Sequence, residues 1–181
     1  MLTGQPKPTS QRTEAFIPLL NYTTEVSAER SVAEIQSKLA KAGAWQILHE
    51  YQRGTGELIG LSFQIDTQFG PMAFRLPAKI DAVEKILIRQ RVRRRPDLKA
   101  RGQATRVAWR ILKDWVEAQL ALIETEQVKM EQVFFAFVQD SRGKTLYEAY
   151  EEKKFAGLLM PGERKVVRHG ISAANLPEPP H

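Results

Sequence analysis

The sequence predicts an α+β fold, in which a three- to four-stranded antiparallel meander packs against two or three helices. Two observations carry this prediction. Between Trp45 and Leu76, apolar residues alternate with polar residues in three successive segments that are separated by glycine-containing turns. The segments before and after this region repeat apolar residues at helical spacing. The expected order of elements is α-β-β-β-α-α.

The first 45 residues predict a tail, an optional strand and a helix. Residues 1–15 are rich in Gly, Pro, Ser and Thr, which is typical of a flexible tail. Phe16–Val26 contains β-favouring residues and could form a fourth strand, which Pro18 would confine to a strand start or a sheet edge. Ser27–Gly43 is predicted to be a helix, because Val32, Ile35, Leu39 and Ala42 share one face.

The meander follows directly, with one face predicted to be buried. The inward-facing residues are expected to be Trp45, Ile47, His49 and Tyr51, then Ile59, Leu61, Phe63 and Ile65, then Met72, Phe74 and Leu76. The residues between them are mostly polar, as in an antiparallel sheet with one solvated face. Trp45 and Trp115 both lie on apolar stripes, so we expect both in the core.

The second half is predicted to be mainly helical. Ile80–Val92 and Ala104–Glu124 have helical periodicity, and Thr145–Lys154 predicts a short helix. Met130–Val138 (MEQVFFAFV) is strongly apolar, and its pattern fits a helical turn or a strand equally well. We therefore predict one α+β domain over residues 16–155, followed by a second flexible tail over residues 156–181.

Positive charge is concentrated between Lys85 and Lys113. This stretch has eleven Lys/Arg and one acid, Asp97, whereas the whole chain has a net charge of +6. Its centre, residues 89–103, is a connector interrupted by Pro96 and Gly102, and consecutive arginines there can meet phosphates as guanidinium forks. Trp109, beside the basic face of the following helix, is a candidate for stacking on a base, although packing at the core margin is the more ordinary explanation. The candidate nucleic-acid-binding residues are Arg91, Arg93, Arg94, Arg95, Lys99, Arg101, Arg106, Trp109, Arg110 and Lys113.

Composition restricts the other classes of function. The chain has no cysteine, which excludes disulfides and thiolate zinc sites. No apolar run reaches the roughly 20 residues of a membrane span, and the N-terminus lacks the apolar core of a signal peptide, so a cytoplasmic protein is expected. The three histidines, His49, His169 and His181, are scattered, and no catalytic or metal-binding spacing is recognisable. We therefore predict no cofactor and no enzymatic activity.

Two resemblances accompany these patterns. The order helix, three strands, helix over residues 28–93 resembles that of a double-stranded RNA-binding domain, but Ala78–Lys85 lacks the lysine cluster with which that family contacts phosphates, so the resemblance is topological. Four phrases, at Val26–Arg30, Val32–Ile35, Arg106–Glu124 and Thr145–Glu148, together resemble a family of small bacterial and phage-type proteins whose function is unknown. That resemblance implies one compact domain over residues 22–150 and no particular chemistry.

The leading hypothesis is a non-enzymatic nucleic-acid-binding protein, such as a phage or mobile-element accessory factor, that contacts the phosphate backbone through the connector and the following helix. The alternative is an interaction module whose connector docks an acidic protein and whose Met130–Val138 segment joins the interface. The sequence leaves the type of nucleic acid and the oligomeric state open.

Overall fold

The computed structural model of the chain describes residues 18–90 and 101–158. Its elements are α1 (Ala28–Lys41), β1 (Gln46–Tyr51), β2 (Leu58–Thr67), β3 (Gly70–Pro77), α2 (Ile80–Arg89), α3 (Arg101–Glu124), α4 (Met130–Val133), a 3₁₀ turn at Phe135–Phe137, and α5 (Leu146–Glu152). The predicted α+β class and the order α-β-β-β-α-α are confirmed, with α4 and α5 following at the end.

The sheet is an antiparallel meander in the order β1-β2-β3. Phe63 at its centre faces Ile47 on one side and Phe74 on the other, so the alternating apolar residues of the three strands share one face. Gly70, with a φ of +104°, lies at the β2–β3 turn in a backbone conformation that suits glycine.

The core lies between this face of the sheet and the helices. Phe63, Phe74 and Phe134 are fully buried and meet ring to ring, with centroids 5.1–5.9 Å apart. Val32, Ile35 and Leu39 of α1 join the same core, as the helical spacing predicts. The helix α3 lies centrally: Val107, Trp109 and Val116 are completely buried, although Val107 lies on the opposite side of the helix axis from Trp109 and Val116.

Three details of the prediction need correction. First, there is no leading strand in the described residues from Pro18 onward, where Leu19–Tyr22 forms a turn and Asn21 has a φ of +59°. The side-chain amide of Gln103 donates to the carbonyls of Tyr22 and Thr24, both at 3.0 Å, and so occupies backbone groups that a strand would use.

Second, Trp45 is 56% exposed and not a core residue, because it precedes the outermost strand of the sheet, where no helix covers it fully. His49 and Tyr51 on the same strand are also exposed. Trp115 is partly buried, with its ring 5.3 Å from both Phe134 and Phe137.

Third, the connector is shorter than residues 89–103, because α2 includes Arg89 and α3 includes Arg101, Gly102 and Gln103. Of the two predicted alternatives at Met130–Val138, the structure has helical turns, followed by an isolated bridge between Val138 and Phe74.

The predicted N-terminal tail at residues 1–15 and all but residues 156–158 of the predicted C-terminal tail lie outside the described residues. In the part of the chain described, no helix has the length and apolarity needed to cross a membrane.

Candidate functional site

The net charge of the chain lies outside the described residues. Residues 18–90 and 101–158 contain 17 Lys/Arg and 17 Asp/Glu, so this part is formally neutral. Residues 91–100 contain five Lys/Arg and one acid, which gives +4 within ten residues. Five of the predicted contact residues, Arg91, Arg93, Arg94, Arg95 and Lys99, belong to this segment, whose structure is not described.

Arg101, a further predicted contact residue, is instead the centre of an internal ion-pair cluster. Its guanidinium donates to Glu57 at 2.6 and 3.0 Å, to Glu84 at 2.9 Å, and to Asp81. The Arg101 hydrogen bonds lower the pKa of Glu57, and the three carboxylates raise the pKa of Arg101. These bonds tie the start of α3 to α2 and to the β1–β2 turn.

Arg110 and Lys113 are also engaged, because they face α1 and not solvent. Arg110 donates to Glu34 of α1 at 3.0 Å, while Lys113 is only 8% exposed and bonds to Glu117 and, at 3.3 Å, to Asp114. Lys38 of α1 bonds to Glu117 at 2.7 Å. The hydrogen bond from Lys113, followed by that from Lys38, lowers the pKa of Glu117 to about 2. This stripe of charges therefore joins two helices.

The two remaining predicted residues on α3 are held by neutral groups. Arg106 donates twice to the side-chain oxygen of Gln103, at 2.5 and 2.9 Å. Trp109 is completely buried, and its indole nitrogen donates to the carbonyl of Leu58 at 3.2 Å. A ring in this position cannot stack on a base, so the stacking interpretation of Trp109 is wrong and the alternative, packing in the core, holds.

The cations that remain free beside the connector lie on α2 and at the residue that precedes it. Lys79, Lys85 and Arg89 are exposed and form no ion pair within the described residues. Lys85 and Arg89 are four residues apart and so share one helix face, which leads into residue 91. Lys79 and Lys85 also line a surface depression of about 480 Å³, together with Arg101 and Asp81. None of these three residues was a predicted contact residue, although Lys85 and Arg89 belong to the basic stretch between Lys85 and Lys113.

A second depression adjoins the first and is mainly apolar. It has a volume of about 630 Å³ and shares Pro77, Ala78 and Lys79 with the cationic depression. Part of its lining comes from one face of α3, and Phe137 and Tyr147 line it as well. The other lining residues are Val83, Ala108, Ile111, Leu112, Trp115, Ala136, Thr145, Glu148 and Glu151. Within the apolar segment Met130–Val138, Phe134 is buried in the core, whereas Phe135 is exposed.

The outer face of the sheet carries a third, polar group of side chains. Glu50 accepts from Arg75 at 2.8 and 3.0 Å and from Ser62 at 2.7 Å, and Arg75 also reaches Glu148 at 3.3 Å. The backbone amide of Thr145 lowers the pKa of Glu148. Each of these charges is matched within the group. Among the described residues, no three His, Asp or Glu side chains are placed to hold a metal ion.

Comparisons of the chain with known protein families, with curated protein sequences and with solved structures give no match.

Proposed function

We propose that the protein binds the phosphate backbone of a nucleic acid through residues 91–99, with Lys85 and Arg89 of α2 extending the contact surface. The proposed contacts are Arg91, Arg93, Arg94, Arg95 and Lys99, together with those two α2 residues. Arg101, Arg110 and Lys113 have a structural role in this proposal, because acids of α1, α2 and α3 and of the β1–β2 turn already neutralise them. Binding of this kind has little sequence preference, since phosphates are common to every sequence.

The observation that carries the proposal is the distribution of charge. The described part of the chain is formally neutral, whereas residues 91–100 carry +4 beside unpaired cations, so the largest local surplus of positive charge lies at this place. Ion pairs within the fold fix the helices on both sides of that place, since Arg101 of α3 is bonded to Asp81 and Glu84 of α2.

A second candidate, an acidic protein partner, is favoured by the apolar depression. That depression adjoins the cationic one through Pro77–Lys79, so a partner with an apolar segment next to acidic residues would meet both. Competition with free nucleic acid distinguishes the two candidates. Nucleic acid competes for the basic residues, but it does not replace the contacts that a protein partner makes in the apolar depression.

The test is a binding series with labelled single- and double-stranded DNA and RNA across salt concentrations. The variant R93E/R94E/R95E reverses three charges of the connector. We expect the wild-type affinity to fall with salt, with a log–log slope of roughly 0.7–0.9 per neutralised phosphate. The variant should bind at least tenfold more weakly and with a shallower slope.

The matched control is K41E/K129E/K153E, which produces the same change in net charge at three exposed residues that form no ion pair in the described part of the chain. Lys41 and Lys129 lie near the C-terminal end of α3. This 24-residue helix is about 36 Å long, so both residues are remote from Arg101 at its start. The control should retain most of the wild-type affinity. Equal losses of affinity in both variants would mean that net charge alone determines binding. Absence of binding at low salt would contradict the proposal.

A further inference from the structure

The strand β1 has an open edge. Among the described residues it pairs only with β2. Val138 and Gln139 meet the opposite edge of the sheet, where the backbone N–H of Gln139 donates to the carbonyl of Ala73 at 2.8 Å. Proteins protect free edges with Lys, Pro or a bulge. The strand Gln46–Tyr51 (QILHEY) has neither Lys nor Pro, and its only irregularity in register lies at its end, between Glu50 and Tyr51.

The same edge exposes large apolar side chains. Trp45, Leu48 and Tyr51 are 56%, 53% and 57% exposed, although they lie within seven consecutive residues. Trp45 and Tyr51 lie on the face of the sheet that bears the core, and Leu48 lies on the other face, so both sides of the edge are apolar. An edge with free backbone groups and apolar side chains on both faces suits another strand better than a small ligand does.

We propose that β1 pairs with β1 of a second copy of the chain, antiparallel and about a two-fold axis at Leu48, to form a continuous six-stranded sheet. In this register the strand is complementary to itself. Leu48 then faces Leu48 of the second copy, Ile47 faces His49, and Trp45 faces Tyr51. On the face that bears Leu48, Gln46 lies opposite Glu50, so the side-chain amide of Gln46 can donate to the Glu50 carboxylate.

The neighbouring register is less favourable. An axis at His49 would place the two His49 side chains opposite each other and would set the Glu50 carboxylate opposite Leu48. In the register centred on Leu48, no two like charges are opposed. His49 also keeps its hydrogen bonds to Gln36 and Tyr51 of its own chain, which hold its ring over α1. The symmetry is that of an isologous dimer, in which each residue pair occurs twice.

Cysteine cross-linking tests the register directly, because the chain has no cysteine of its own. In L48C the two thiols would be on facing residues, with Cα atoms about 4.5–5.5 Å apart, which is within the range of a disulfide. We expect mild oxidation to convert most of L48C into a covalent dimer. H49C should cross-link poorly, since its counterpart in this register is Ile47. The control F69C, at a residue that is 77% exposed, should form no covalent dimer under the same conditions.

Light scattering after size exclusion provides the second measurement, without any cross-link. The wild type should have the mass of a dimer at micromolar concentration, and L48K should shift it to a monomer, because two lysines would face each other at the axis. The matched variant I88K places the same charge on an exposed residue of α2 and should remain dimeric. A monomeric wild type, or cross-linking of F69C as complete as that of L48C, would overturn the proposal. Neither outcome depends on whether the protein binds nucleic acid.

Discussion

At the scale of single residues, the partner of a charged side chain decides whether it is available to a ligand. Arg101 shows this most clearly, because it lies in the basic stretch of the sequence but bonds to Glu57, Asp81 and Glu84. Glu57 is half-buried and also accepts from Thr105 at 2.9 Å. A charge held by hydrogen bonds in this way contributes to stability, and its removal leaves carboxylates without a counter-ion.

Replacing Arg101 with methionine should therefore destabilise the fold. We expect the free energy of unfolding to fall by about 1–3 kcal/mol, since Glu57 would lose its charged donor while remaining shielded from water. Urea titration followed by circular dichroism measures this change. The control R53M removes an exposed arginine of the β1–β2 turn and should change the stability by less than about 0.5 kcal/mol. Equal stabilities for R101M and R53M would contradict the structural role.

Residues whose environment depends on distant segments were the hardest to predict. The charge of Arg110 is evident from the sequence, but its partner Glu34 is 76 residues away. Trp109 lies at the margin of the α3 apolar stripe, and its burial becomes evident only when the β2 carbonyl that it meets, at Leu58, is known. In the sequence, Lys85 and Arg89, which form no ion pair in the described residues, look no different from the cations that do.

At the scale of the elements, α3 carries its charges in an order that opposes the helix dipole. Its cations lie in the first half and its acids toward the end, which costs a few tenths of a kcal/mol per charge in isolation. The structure accounts for this order through contacts with other elements: Arg110 meets Glu34 of α1, and Glu117 meets Lys38 of α1. The order of charges therefore reflects helix packing and is not in itself evidence for a ligand.

The Glu117 contacts predict a dependence of stability on pH. Its pKa is about 2 in the folded chain and 4.5 as a reference for the unfolded chain, so the carboxylate stabilises the fold above pH 4.5 and loses that contribution as the pH falls toward 2. Because the side chain is 46% exposed, the contribution is about 0.5–1 kcal/mol. The variant E117Q should be less stable than the wild type at pH 7 and should lose less stability between pH 5 and pH 2.5.

Urea titrations at several pH values measure both effects. The variant E124Q serves as the control, because it changes an exposed acid of the same helix that has no ion pair in the described residues. E124Q should follow the wild type across the whole range. If E117Q and the wild type had parallel pH profiles, the ion pairs to Lys38 and Lys113 would not contribute to stability.

The elements themselves were predictable where their signals are local. Alternation fixes β2 and β3, and helical spacing fixes the buried face of α1, because each pattern depends on neighbours within a few residues. The predicted leading strand failed because Gln103, some 80 residues away, takes the carbonyls of Tyr22 and Thr24. The exposure of Trp45 depends similarly on the position of β1 at the edge of the sheet, which strand periodicity does not reveal.

At the scale of the whole molecule, charge is separated between the described fold and the rest of the chain. The 17 cations and 17 acids of the described part balance, and ten of these acids form ion pairs there with eight Lys/Arg. In the proposed function, an anionic partner meets the surplus in residues 91–99 and the free cations of α2. The cations that release counter-ions from a nucleic acid should therefore be those of residues 91–99 and the free cations of α2.

The most direct measurement is the salt dependence of nucleic-acid binding for two variants with equal loss of charge. K85Q/R89Q removes the free cations of α2, whereas R110Q/K113Q removes two paired cations of α3. Thermal melts first establish that both double variants are folded. If one of them is not folded, the single variants K85Q and R110Q replace the double variants in the comparison. We expect the log–log slope to fall by roughly 1.4–1.8 for K85Q/R89Q and to stay at the wild-type value for R110Q/K113Q. Equal decreases of the slope in the two variants would contradict the proposed division between binding and structural cations.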